Sequence, residues 1–183
     1  MDHLFYFIYV QPLYRVIALA LLALLLWGRL RRPLWRRAGK PGLWRWTAFV
    51  LFLLWVLAVL YTTLLNRSEG GGEVMLTPFW SYRAAFAPDG NREMLRSNLM
   101  NVLLFLPGGL LLGELAPRDW RGKTVLLALG LSFLLSAGVE ILQGVFSLGI
   151  AETDDVIHNT LGGMLGSLPA ALSGAPPANT REG

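Results

Sequence analysis

Apolar residues in this chain come in long unbroken runs rather than in the alternating or three-and-four spacing of half-buried elements. VIALALLALLLW and TAFVLFLLWVLAVLYTTLL are two of them. A helix that crosses hydrocarbon needs roughly 20 mostly apolar residues. On that measure the sequence predicts five spans: 4–27, 46–65, 97–115, 124–143 and 155–172. The first opens with Phe5, Tyr6, Phe7, Tyr9 and Tyr14, a cluster suited to the headgroup level of a membrane. It also holds Arg15, which snorkels to the interface. Its basic residues follow the apolar run instead of preceding it, the reverse of a cleaved signal peptide. Pro107 stands inside the third run, in LFLPGGLLLG, and predicts a kink there. The tail 174–183 reads as disordered. The fold expected is therefore all-α, a polytopic membrane helical bundle of about five transmembrane helices forming one domain over 1–183.

The polar residues that interrupt the runs sit near span ends. Asn98 and Asn101 open the third span, Glu140 and Gln143 close the fourth, and Asp154, Asp155, His158 and Asn159 open the fifth. At about 100° per residue, Asp155, Asn159, Gly162 and Gly166 fall within roughly 60° of arc. Ser132, Ser136, Glu140 and Gln143 fall within roughly 80° by the same count. Each helix thus carries one polar or small stripe, and the glycine stripe is expected to face the stripe that ends in Glu140 and Gln143. A lipid-facing Glu140 would cost about 2.5–3.5 kcal/mol at mid-bilayer. It is expected to point inward and accept hydrogen bonds from Asn101, Gln143 or Asn159.

Composition agrees with the pattern: the 183 residues are 54% hydrophobic and 15% charged. There is no cysteine, so disulfide and thiol chemistry are excluded. The net charge of +4 gathers in two loops. One holds Arg29, Arg31, Arg32, Arg36, Arg37, Lys40 and Arg45; the other holds Arg118, Arg121 and Lys123. The positive-inside rule puts both in the cytoplasm, with the amino terminus outside and the carboxyl terminus inside. The polar span ends then share the outer face. The basic loop 29–45 is expected to touch anionic lipid heads, and nothing calls for nucleic acid.

Two readings of the cluster compete. In the first, Asp154 and Asp155 cap the fifth helix, Asn98 caps the third, and the rest bolt spans together. Capping leaves Glu140 and Gln143 unexplained, since a negative charge at a helix end opposes the dipole. In the second, the set is a site. Two carboxylates serve as general acid and base where their surroundings differ, which makes Glu140 and Asp155 the catalytic candidates. Asn98, Asn101, Gln143, Asp154, His158 and Asn159 are then the ligand-binding candidates. His158 has only His3 as a fellow histidine, so no metal centre is expected, and no cofactor motif occurs. Ser132 and Ser136 read as packing serines rather than nucleophiles.

Three blocks, NLMNVLLFLPGGLLLG, GVEILQ and ETDDVIHNTLGGMLG, resemble the VanZ-like membrane proteins, a family named for a teicoplanin-resistance accessory protein. They span about 98–166, and PFWSY at 78–82 is similar to the family's preceding loop. By position, the family's shared polar residues fall on Asn98, Asn101, Glu140, Gln143, Asp154, Asp155 and Asn159. The chain departs from many relatives in having no arginine between Gln143 and Thr153. The resemblance implies a multi-pass protein of the bacterial plasma (inner) membrane with a role in the cell envelope. Three functions remain open at this stage: an envelope protein that binds a lipid-linked or cell-wall ligand or a partner; a membrane enzyme acting on such precursors; and a small transporter.

Overall fold

In a computed structural model, residues 41–65, 72–117 and 120–172 are described. The expected first span, most of the basic loop and the tail lie outside these residues. Helix α1 covers Pro41–Leu60 and ends in a π-helical turn, Tyr61–Leu65. Strand β1 (Val74–Met75) and a short helix α2 (Trp80–Ala85) follow. Then come α3 (Glu93–Leu115), α4 (Arg121–Phe146), strand β2 (Ala151–Glu152) and α5 (Thr153–Leu172). The two strands form one short parallel bridge, Val74 opposite Ala151 and Met75 opposite Glu152.

The chain is an all-α polytopic membrane bundle. Three segments, Gly42–Leu65, Glu93–Leu115 and Lys123–Phe146, are long and apolar enough to cross a membrane. They match the second to fourth expected spans, and α5 matches the fifth in position. α5 carries Asp154, Asp155, His158 and Asn159 in its first two turns, so it is less apolar than the others. The fold deals with this by position: α5 packs chiefly between α3 and α4, and Asp154, His158, Asn159, Gly162, Gly163, Gly166 and Ser167 are all buried. Apolar outer faces remain on α1 and α4, where Leu53, Leu57, Leu126, Leu134 and Ile141 are exposed, and in smaller part on α3 and α5 at Leu99, Leu103, Leu161 and Leu165.

The helix ends are longer than the apolar runs. Helix α3 begins at Glu93 because EMLRS continues the helix beyond hydrocarbon, with an Arg96–Glu93 ion pair at 3.2 Å. Asn98 therefore lies in the second turn and does not cap α3; Asn91 Oδ1 accepts from the Glu93 amide at 3.0 Å instead. Pro107 stays inside a continuous α3. It gives no N–H to the preceding turn, and next to that break the Trp55 indole donates to Leu104 O at 2.9 Å. Trp55 also lies over Gly108, where a Cβ would stand 2.3 Å from the ring, and meets Phe105 edge-on at 5.5 Å. This is the centre of the apolar core, with Ala48, Val59 and Leu111 around it.

The two ends of the bundle are tied differently. At one end, Trp44 donates to Glu114 at 2.9 Å and Arg45 to the last carbonyl of α3, Leu115 O, at 3.0 Å. A cation there also favours the helix dipole. At the other end lie the π-turn of α1, the start of α3, the end of α4 and the start of α5. The polar residues gather there.

Candidate functional site

Asp154 is the deepest acid of the cluster, with no solvent exposure. It does not cap its own helix. Its carboxylate reaches the start of α2 and accepts from the Phe79 amide, the Ser81 amide at 3.0 Å and the Ser81 hydroxyl. Asn98 completes the set by donating to Ser81 Oγ at 2.9 Å. Three elements distant in sequence thus meet at one carboxylate. Phe79 has a left-handed backbone (φ 58°), which costs a non-glycine residue free energy; the bond from its amide to Asp154 holds that conformation.

His158 stands one turn along α5 and is 4% exposed. Its Nδ1 faces Asp154 O, which can only accept, so Nδ1 carries the proton. In the neutral ring Nε2 is then an acceptor, and the Tyr82 hydroxyl donates to it at 2.8 Å. The two rings are 5.6 Å apart. Asp154 and His158 therefore fasten the PFWSY segment to the top of α5.

Asp155, the neighbouring acid, points to α3: Asn101 Nδ2 donates to its Oδ1 at 2.6 Å. Asn159 points to α4 and donates to Ser136 Oγ at 2.8 Å. The glycine stripe does not face the Glu140 stripe as expected. A Cβ on Gly162 would lie 2.2 Å from Val102 O, and one on Gly166 2.1 Å from Leu106 O, so both glycines bring α5 backbone against α3. It is Gly163 that faces α4, over Ser132. Because α5 is wedged between two helices, its stripe splits between them. Ser132 lies under Gly163, and Ser136 accepts from Asn159.

Glu140 has a different surrounding. It is 8% exposed and accepts from the Glu152 amide at 2.7 Å. The three amides expected to serve it donate to Asp155, Ser136 and, for Gln143 Nε2, to Thr63 O at 2.9 Å. Thr63 lies in the π-helical turn Tyr61–Leu65. Glu140 also lines a cavity of about 380 Å³. Its walls are Val74, Leu76, Ala137, Ile141, Gly144, Val145, Ala151 and Val156, with Glu140, Glu152 and Thr153 as the polar members. Asp155 is not part of this lining. The two carboxylates proposed as an acid–base pair thus occupy separate surroundings: one faces α3, the other the cavity.

Two amide oxygens stand out. Gln143 Oε1 and Asn159 Oδ1 are buried and accept from no group among the described residues. A buried acceptor left without a donor costs about 1–3 kcal/mol. Networks that serve only to hold helices together are normally satisfied. Among the described residues, no group of three or more His, Cys, Asp or Glu is placed to hold a metal ion. Sequence reasoning missed Ser81, Tyr82 and Thr63, which join the network, and the strand bridge that forms one wall of the open cavity. PFWSY was visible as a motif, but nothing local ties it to an acid more than 70 positions away.

A helical membrane bundle with one end closed by a buried polar network, and an apolar cavity beside it, is the class this fold and site define. Residues 46–173 match the VanZ/LLP1 family, and the chain belongs to it. It is also similar to Protein VanZ of Enterococcus faecium, 38% identical over 82 residues. That match covers 44% of this chain and 46% of the relative, so the chain spans about half the length of this curated protein. No solved structure matches.

Proposed function

We propose that this protein works in the bacterial cell envelope as a multi-pass plasma-membrane protein. Its polar cluster faces outward and binds an envelope ligand, and through that binding it contributes to tolerance of teicoplanin. The carrying observation is the pair of buried oxygens on Gln143 and Asn159 that accept from no described group, with Trp80 Nε1 and Thr160 Oγ1 likewise unpartnered among the described residues. A ligand or ordered solvent that donates to the two oxygens removes their cost. Membership of the VanZ/LLP1 family supports the envelope role. Binding is favoured over acid–base catalysis because Asp155 and Glu140 have separate surroundings and only Glu140 lines the cavity.

Expression in a susceptible bacterium is expected to raise tolerance to teicoplanin more than to vancomycin. Unchanged susceptibility to both, with the protein confirmed in the membrane, would remove the resistance reading. The orientation rests on loop charge and has its own test. Ala151 is buried in the strand bridge and makes a poor probe, whereas Ser147 and Pro117 are exposed at opposite ends of α4. A cysteine at Ser147 is expected to react with a membrane-impermeant thiol reagent in intact cells, and one at Pro117 only after the membrane is opened. The reverse pattern would put the cluster in the cytoplasm.

A further inference from the structure

Contacts of the segment that leads into α2 fix how deep it lies beside the spans. It starts at the end of α4: a Cβ on Gly72 would stand 2.9 Å from the Ser147 hydroxyl oxygen. Two residues on, Val74 is 3.8 Å from the Cβ position of Gly144. Phe79 and Ser81 then bond to Asp154, two residues past the Glu152 amide that Glu140 accepts. Between residues 72 and 81 the chain therefore descends alongside α4, from Ser147 to about the level of Glu140. The apolar segment of α4 runs on from Glu140 to Phe146, about 9 Å further. That segment has 24 residues and is about 36 Å long, against about 30 Å of hydrocarbon. Only about 3 Å of each end stands clear when it is centred, so Glu140 lies below the hydrocarbon edge. Helix α3 gives a second, independent measure. Asn98 donates to Ser81 Oγ and directly follows part of the charged turn EMLRS. Ser81 is thus level with the edge of the apolar part of α3. Both helices put PFWSY at the boundary of head groups and acyl chains, not in the water above it.

At this depth the segment turns apolar side chains outward. Leu76 is 76% exposed, Phe79 52% and Phe86 70%. Helix α2 buries Ser81 and Ala85. At about 100° per residue Phe79, Arg83 and Phe86 fall within roughly 60° of arc on the opposite side. The Phe79 backbone is left-handed, a strain kept at a residue whose ring stays half uncovered. Exposed apolar groups gathered on one segment mark an interaction surface. Arg83 between the two rings is exposed, and one of its Nη atoms donates to Pro78 O at 2.9 Å. Two aromatic rings flanking a long basic side chain suit the plane where acyl chains meet phosphates.

We propose that residues 74–86 form an interfacial membrane anchor. Leu76, Phe79 and Phe86 insert among the lipids of the leaflet nearest the polar network, and Arg83 reaches back to lipid phosphates. The partner of this surface is bilayer lipid. The anchor bears directly on the network, because Phe79 and Ser81 are the residues that serve Asp154. The inference holds for either orientation of the chain.

The test uses the full chain, which has no cysteine, in vesicles of phosphatidylethanolamine and phosphatidylglycerol. Leu76→Cys, Phe79→Cys and Phe86→Cys each carry a nitroxide, with Ser147→Cys and Asp89→Cys as references. Collision rates with oxygen and with a water-soluble nickel chelate give the depth of each label. The labels at Leu76, Phe79 and Phe86 are expected about 5–10 Å below the phosphates. Those at Ser147 and Asp89 are expected at or above the phosphates. Two of the three anchor labels colliding with the chelate as Asp89 does would overturn the proposal by placing the segment in water. Two of the three shielded from both reagents would overturn it by showing protein cover. Where Phe79→Cys fails to fold, agreement of Leu76 and Phe86 below the phosphates is required, and either one above them or shielded overturns it.

Discussion

Gly166→Ala is expected to unfold the bundle or lower its melting temperature sharply, and Gly162→Ala to do nearly as much. Each Cβ would stand little more than 2 Å from a backbone carbonyl of α3, Leu106 O or Val102 O. A backbone neighbour cannot swing aside as a side chain would, so α3 and α5 must separate along the whole contact. Inserting one methyl into a packed core costs about 1–3 kcal/mol. Here the separation also strains the Asn101–Asp155 bond, about two turns from Gly162 and three from Gly166 along α5, so the upper part of that range is expected for each change. Gly138→Ala is the control. Its Cβ meets nothing within 4 Å, and replacing glycine in a helix interior gains about 0.5–1 kcal/mol. Melting in detergent, with membrane abundance beside it, checks all three. Equal stability of the Gly162, Gly166 and Gly138 variants would mean that α5 does not pack against α3 through these glycines.

The second large effect falls on Asp154. The sequence offers it either as a cap of the fifth helix or as a ligand-binding residue; as a cap alone, Asp154→Asn would be a mild change. The structure reverses this. Both carboxylate oxygens accept from backbone amides, Phe79 at one and Ser81 at the other. An asparagine amide can accept only through its oxygen, so its NH₂ would face an N–H donor inside a site closed to solvent. Hydrogen bonds to a charged group contribute about 1.5–3 kcal/mol each, and a stranded buried donor adds its own penalty. Asp154→Asn is expected to cost about 3 kcal/mol, seen as a melting temperature lower by roughly 6–12 °C. Ser81→Ala removes the hydroxyl's bonds to Asp154 and from Asn98 but leaves both amide bonds to the carboxylate, so its effect should be smaller than that of Asp154→Asn. If Asp154→Asn melts like the parent protein, the anchoring of PFWSY is wrong.

These two residues show which parts of the fold a sequence discloses. Runs such as TAFVLFLLWVLAVL fix helix number and rough position, because length and apolarity alone decide what hydrocarbon accepts. The polar ends of spans three to five were legible for the same reason: charge next to grease needs an explanation. Partner choice was not legible. Asp154 and Asp155 are adjacent and chemically identical, yet one serves the start of α2 and the other α3. That difference follows from about 100° of helix rotation and from α5 being wedged between two neighbours. No local pattern reports the wedge. The helix ends ran long because charged turns such as EMLRS add helix outside the hydrocarbon, where hydropathy carries no signal. The cavity was invisible, since it needs the pairing of two dipeptides, Val74–Met75 and Ala151–Glu152, far apart in the chain.

The central claim is that the cluster is a working site and not only a bolt, and charge removal without change of shape tests it most directly. Glu140→Gln and Asp155→Asn are each expressed in a teicoplanin-susceptible bacterium, and tolerance is measured beside membrane abundance and melting of the purified protein. The expected result is tolerance lost for Glu140→Gln and reduced for Asp155→Asn, with abundance and melting close to the parent protein. Tolerance falling only in step with stability, or tolerance unchanged in both, would contradict the claim and return these residues to helix packing.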